Sequence, residues 1–217
     1  MLTKKLLSAL AVSCAVFTSA ADAGDAPILP PADWFVHIGG TGAFFDSKLT
    51  SSSGLLTGAD ARANNSITGA IEAGRYVNDN FSISLFADLP TTNDIMAIAP
   101  GFIAGQRVST VTTGTVILGA QYHLDTGSAF TPYLGAGLGY NYVLNQLPNA
   151  AVLPGGQLDN SFGGVIQIGA DLALSNNVGV FVDVKKMFST AHFSAPGADG
   201  QFQLNPLIVS TGLSFHF

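Results

Sequence analysis

The chain has 217 residues, of which 47% are hydrophobic and only 10% charged, with a formal net charge of −6. So low a charged fraction, against roughly 25% in an ordinary soluble domain, means that much of the surface faces something other than water. The negative balance and the scatter of the acidic residues argue against nucleic acid as a partner, because phosphate binding needs clustered Lys and Arg.

The N-terminus reads as an export signal over residues 1–23. Lys4 and Lys5 supply a positive start, Leu6 to Phe17 an apolar stretch, and Ala21-Asp22-Ala23 a small-residue cleavage site. An apolar run of about a dozen residues is too short to cross a bilayer as a helix, and no later run approaches the roughly 20 residues required. Ala11-Val12-Ser13-Cys14 faintly resembles a lipoprotein box but would leave a very short apolar stretch before it. Cys14 is the only cysteine, so the chain after cleavage is expected to hold neither a disulfide nor a thiolate-bound metal. Pro27, Pro30 and Pro31 then mark an extended linker over 24–33.

From Trp34 onward a period of two takes over, and it predicts eight strands of about ten residues, the length that a tilted strand needs to span a bilayer. The segments are Trp34 to Phe44, Ile67 to Tyr76, Phe81 to Leu89, Thr110 to His123, Pro132 to Val143, Phe162 to Leu174, Val178 to Phe188 and Pro206 to Phe217. Twenty-five glycines and ten prolines argue against long helices instead. The connections alternate without exception. Those after the first, third, fifth and seventh strands are long (46–66, 90–109, 144–161 and 189–205), whereas those around Asn78-Asp79-Asn80, Asp125-Thr126-Gly127 and Ser175-Asn176-Asn177 are short. Long external loops and tight periplasmic turns are the outer-membrane pattern, and an even strand count puts both ends in the periplasm.

The two faces of the strands differ in the sense that lipid demands. In the seventh segment Val178, Val180, Val182 and Val184 share one face. Across the chain, His37, Glu72, Asp88, His123, Asp171, Asp183, Lys185 and His216 all fall on the other. A soluble barrel would turn such charges outward, but on a bilayer-facing surface each costs about 2 to 4 kcal/mol at mid-depth. Trp34, Tyr122 and Phe217 near one edge and Tyr140 and Tyr142 near the other suit interfacial aromatic girdles. The expected fold is therefore all-β: an eight-stranded antiparallel transmembrane β-barrel over 34–217.

Pro132-Tyr133-Leu134-Gly135-Ala136-Gly137-Leu138-Gly139-Tyr140, Asp183-Val184-Lys185-Lys186 and the stretch from Leu204-Asn205-Pro206 to Gly212-Leu213-Ser214-Phe215-His216-Phe217 resemble the OmpW family of outer-membrane proteins. The resemblance runs over the whole chain after the signal. It implies a barrel with an apolar lumen that passes small hydrophobic molecules, lipopolysaccharide and outer-membrane lipids as surroundings, and an assembly machinery that reads Phe215 and Phe217 at the C-terminus. It also implies closure of the channel by bulky apolar side chains on the third and seventh strands. Phe86 fits the first position, but Lys185 stands at the second and departs from the pattern.

The residues themselves predict a mixed lumen. Phe86, Ile117, Val143, Val165, Phe181, Met187 and Ile208 point inward together with the ionisable set. Eight strands enclose room for side chains or one small ligand, not an open water pore. Lys185 is expected to lie near at least one of Glu72, Asp88 and Asp183, and these four with Phe86 form the candidate constriction. Inward Gly135, Gly137 and Gly139 either leave room or let neighbours pack closely. The apolar residues of the long connections, among them Leu55, Leu56, Ile95, Phe102, Leu147 and Val152, cluster towards the external mouth, as a solute site or as a cap.

No catalytic set stands out. His192-Phe193-Ser194 is a weak His and Ser spacing of the kind used by outer-membrane lipid A deacylases, and no cofactor or metal motif is evident. The competing function is a structural or adhesive barrel with a plugged lumen and no transport role.

Overall fold

The computed structural model describes residues 33–54, 60–97, 105–152 and 155–217; the export signal and nearly all of the linker lie outside these residues. Thirteen strands form one sheet system: β1 (Trp34–Phe45), β2 (Lys48–Gly54), β3 (Ala61–Ala63), β4 (Ser66–Tyr76), β5 (Phe81–Asp88), β6 (Thr91–Ala97), β7 (Arg107–His123), β8 (Phe130–Pro148), β9 (Gln157–Leu158), β10 (Ser161–Ala173), β11 (Val178–Ala195), β12 (Ala198–Gln203) and β13 (Pro206–His216). Eight of them make the barrel. The order β10-β8-β7-β5-β4-β1-β13-β11 is closed by pairing of β10 with β11, all antiparallel. At the seam Trp34 and Phe217 exchange backbone hydrogen bonds of 2.9 and 3.0 Å.

The period of two decides the faces. Along β11, Phe181, Asp183, Lys185 and Met187 are buried while Phe188 is half exposed to the outside; along β5, Ser82, Ser84 and Phe86 are buried while Ile83 and Leu85 are exposed. Ile38, Ile71, Leu118, Leu138, Ile166, Ile168 and Leu213 continue the exposed apolar band around the barrel. In water this would be a patch far beyond what soluble proteins tolerate, whereas lipid covers it. Arg75 lies over the Trp34 ring, 5.5 Å from its centroid, at the edge of that band.

The short turns are set by their own side chains. Asn78 Oδ1 accepts hydrogen bonds from the amides of Asn80 and Phe81 at 3.0 and 2.9 Å. Asp125 Oδ1 accepts the amide of Gly127, whose positive φ of 64° suits glycine.

The long connections differ from expectation. Among the described residues they are largely strands. The alternation runs on beyond the membrane segment, so that Ala191 and Phe193 stay buried while Thr190 and His192 stay outside, and β8 and β11 reach Pro148 and Ala195. The added strands β2, β3, β6, β9 and β12 pair onto these extensions and carry the wall outward. A bulge at Leu144, between the pairs Thr112↔Asn145 and Thr113↔Val143, re-phases β8, after which Gln146 turns inward.

Candidate functional site: a lumen built in layers

The inward residues stack in tiers from the end that holds both barrel termini, the periplasmic end, to the external mouth. The lowest tier is aromatic and imidazole. His37 stacks on Phe181 with centroids 4.3 Å apart and planes 8° from parallel, and Phe35 packs against His37, His123 and His216. His123 is held by Ser82 Oγ at 2.9 Å.

Above this floor sits an ion cluster. Lys185 Nζ donates to Asp183 Oδ1 at 2.6 Å and to Glu72 Oε2 at 2.9 Å, and all three residues are at most 2% exposed. The other oxygens are also taken: Glu72 Oε1 accepts from Ser84 Oγ and Gln121 Nε2 at 2.7 and 2.6 Å, and Asp183 Oδ2 accepts from Gln167 Nε2 and the Tyr133 hydroxyl at 2.6 and 3.1 Å. The ammonium also lies 4.5 Å from the Phe86 ring centroid, a cation–π contact. Two buried carboxylates around one cation are tolerable only because each oxygen has a donor.

Four side chains of this tier escaped sequence reasoning. Gln121, Gln167, Ser84 and Tyr133 complete the cluster, and the available signal was polar amides and hydroxyls on the lumen face of otherwise apolar strands.

Asp88 does not join the cluster, contrary to the expected four-residue set. Glu72 pairs across the ladder with Phe86, while Asp88 pairs with Ala70, one inward step higher. There Asp88 accepts the amide of Thr115 at 2.6 Å instead. Phe86 itself belongs to the next tier, an apolar layer with Ile117, Val165, Met187 and Ile208. Phe181 lies two tiers lower, against His37, and Val143 lies higher.

The inward glycines seat large neighbours. A Cβ on Gly139 would lie 2.7 Å from Met187 Sδ, and one on Gly135 would lie 2.8 Å from Gln167 Oε1. Their space is filled, which favours close packing over free room.

A polar ring follows, where Asn141 donates to Ser161 and Ser189 and accepts from Thr115. Above it lies an apolar chamber formed by Ile95, Val111, Leu158, Ala191, Phe193 and Phe202, with Phe45 and Val152 against them. A cavity of about 40 Å³ opens here, lined by the chamber walls, by Val143 and by the polar ring as its base. Ile95 and Val152 thus join the external cluster, whereas Leu147 points outward, 64% exposed. Leu55, Leu56 and Phe102 lie outside the described residues.

On the outer surface His192 presents Nδ1 to Asp159 at 3.6 Å and Nε2 to Asp199 at 3.2 Å. Both ring nitrogens therefore face acids, not the Ser194 hydroxyl, and the His192 and Ser194 pair lacks the geometry of a nucleophile and its base.

The chain is similar to known outer-membrane proteins throughout the barrel. A family model described as the OmpW family matches residues 33–217. Outer-membrane protein y4mB of Sinorhizobium fredii is 27% identical over 85% of this chain and 80% of its own length. A dibenzothiophene metabolism operon protein, PahQ, of Pseudomonas aeruginosa is 23% identical over 85% of this chain and 88% of its own. The crystal structure of the outer membrane protein OprG from Pseudomonas aeruginosa superposes with a TM-score of 0.76 at 18% identity, covering 89% of this chain and 99% of that one.

Proposed function

The chain belongs to the OmpW family of bacterial outer-membrane barrels, and from that premise we propose that it admits small hydrophobic molecules into the external chamber and releases them through the wall, not through the floor. The tiered lumen carries this reading. Its upper part is apolar and contains a cavity, and its lower part is sealed by the Lys185 cluster with Glu72 and Asp183, which forms the constriction together with Phe86. A hydrophobic molecule gains by entering such a chamber and would gain nothing by crossing an ion cluster whose carboxylate oxygens are already all hydrogen-bonded. The operon name of the PahQ relative supports an aromatic or similarly apolar solute.

The cavity of about 40 Å³ is smaller than the roughly 150 Å³ that accommodates benzene in a protein core. Solute entry therefore requires chamber side chains such as Val111 and Phe202 to shift. The exposed apolar band contacts outer-membrane lipid and, on the external side, lipopolysaccharide. The outward Phe215 and the terminal Phe217 serve as the recognition signal for the assembly machinery.

Uptake into liposomes containing the folded barrel tests the proposal, with an apolar and a polar probe of similar size. The apolar probe should equilibrate faster than in protein-free liposomes and the polar one should not. Val111→Phe, which fills the chamber, should abolish the difference while the barrel still shifts on a gel after boiling. Equal passage of both probes would refute the proposal. One observation favours the other reading, a plugged structural barrel: directly below Phe86 the lumen is closed by an ion cluster whose carboxylate oxygens all have donors. That reading predicts no difference between the two probes from protein-free liposomes.

A further inference from the structure

The two ionisable tiers of the lumen, the ion cluster and the floor, are built differently, and the contrast bears on what the lower one binds. In the Lys185 cluster all four carboxylate oxygens have donors. In the floor, His37, Asp171 and His216 are 1%, 0% and 3% exposed. Yet both ring nitrogens of His37, both oxygens of Asp171 and Nε2 of His216 have no hydrogen-bond partner among the described residues. Buried polar atoms are rarely left so, because each unmet group costs free energy that water would have returned.

Three of the orphaned atoms converge, one from each residue. His37 Nε2 lies 3.1 Å and His216 Nε2 3.9 Å from the same oxygen, Asp171 Oδ1, and one ligand atom of each residue lies within 4.8 Å of the other two. The 3.1 Å contact is short enough for a hydrogen bond but lacks the alignment of one. Three donors around a metal ion with bonds of about 2.0 Å would stand about 3.3 Å apart in a tetrahedral arrangement; the His37–Asp171 pair at 3.1 Å already meets this spacing, whereas the His216 ring, 3.9 Å from the same oxygen, would have to move inward to reach it. Two imidazoles and a carboxylate suit zinc and its transition-metal neighbours, not calcium or magnesium, which prefer all-oxygen sets.

We propose that His37, Asp171 and His216 form a binding site for a divalent transition-metal ion of the zinc type at the periplasmic floor of the barrel. The three ligands come from β1, β10 and β13, each near its periplasmic end, so the ion joins strands on both flanks of β11. A single proton shared between one histidine and Asp171 would satisfy one ring and leave the other unmet. A metal ion would bond one atom of each of the three groups at once. The stacking of His37 on Phe181 holds one ligand ring in place.

The test uses the detergent-solubilised barrel, stripped with chelator and titrated with Zn²⁺ and, separately, Co²⁺. The expected results are one equivalent of Zn²⁺ per chain, a rise in the thermal midpoint on binding, and the visible d–d absorption of four-coordinate Co²⁺. Asp171→Asn and His37→Ala should each weaken Zn²⁺ binding by at least about tenfold, while His192→Ala, in the external acidic cluster, should leave it unchanged. The Co²⁺ spectrum of the unaltered barrel decides the matter even if those variants fold poorly. Absence of saturable binding, an octahedral Co²⁺ spectrum, or loss of binding in His192→Ala would overturn the proposal.

Discussion

The lower and upper halves of the lumen are made from the same kind of strand but hold together by different means. Below Phe86 the interior is crowded with ionisable groups, and in the ion cluster specific partners fix their positions, as with Lys185 between Glu72 and Asp183. Above the polar ring the interior is apolar, held by non-directional contacts, and retains a cavity. A directional network resists rearrangement because each broken bond strands a charge, while an apolar lining can repack at modest cost. The difference suggests that one half seals and the other half accommodates.

Substitutions can break or sharpen this contrast, and the largest effect is expected in the lower half. Lys185→Ala should destabilise the folded barrel by about 3 to 5 kcal/mol, since it leaves Glu72 and Asp183 buried without their cation. Urea-dependent folding into detergent or bilayers reads this directly. A loss below about 1 kcal/mol would mean that water reaches the cluster. If solutes leave through the wall, the same variant should leave the flux of an apolar probe unchanged at equal protein incorporation.

The register that defines the two faces is tested next. Val182 faces outward near mid-height, between Asp183 and Phe181, which face inward. Val182→Arg should cost about 2 to 4 kcal/mol in bilayers but much less in a detergent that lets the cation reach water. Ser210→Arg, on the inner face beside Thr41, should show no such dependence on the surrounding lipid.

Smaller effects follow from packing. Gly139→Ala pushes a methyl against Met187 and should cost about 1 to 3 kcal/mol in the apolar tier. Val111→Ala in the chamber removes two methyl-sized groups and should cost about 1 to 2 kcal/mol. By enlarging the cavity it should also increase apolar probe uptake, opposite to Val111→Phe. The smallest change is expected at the external rim, where Arg107 is exposed, Asp94 is partly exposed and the two are 3.8 Å apart. Arg107→Ala should alter stability by no more than about 1 kcal/mol, and that little should vanish in high salt.

How far the sequence could be read follows the same division. Which face a strand residue takes depends only on a period of two, so the inward placement of His37, Glu72, Asp171, Asp183, Lys185 and His216 was legible without knowing any partner. Heights across the barrel depend on register between strands that are distant in sequence, and no local pattern encodes them. Asp88 was grouped with Glu72 for that reason, although the ladder sets it one inward step above. The meeting of His37 with Asp171 and His216 was hidden in the same way, since these residues come from β1, β10 and β13. The outer extensions were missed for a different reason. Their polar outward residues, such as Thr190, His192 and Ser194, face water instead of lipid, so a strand signal tuned to an apolar outer face ended too early.

The bonds between Trp34 and Phe217 join the two ends of the barrel sequence as neighbours in one unbroken ladder. Seen along that ladder, the wall is a ring and has no first strand. The break between start and finish is a feature of synthesis, not of the finished wall. A chain that began at the turn around Asn176, with residues 217 and 34 joined by a short linker, would have the same strand neighbours, the same tiers and the same seal.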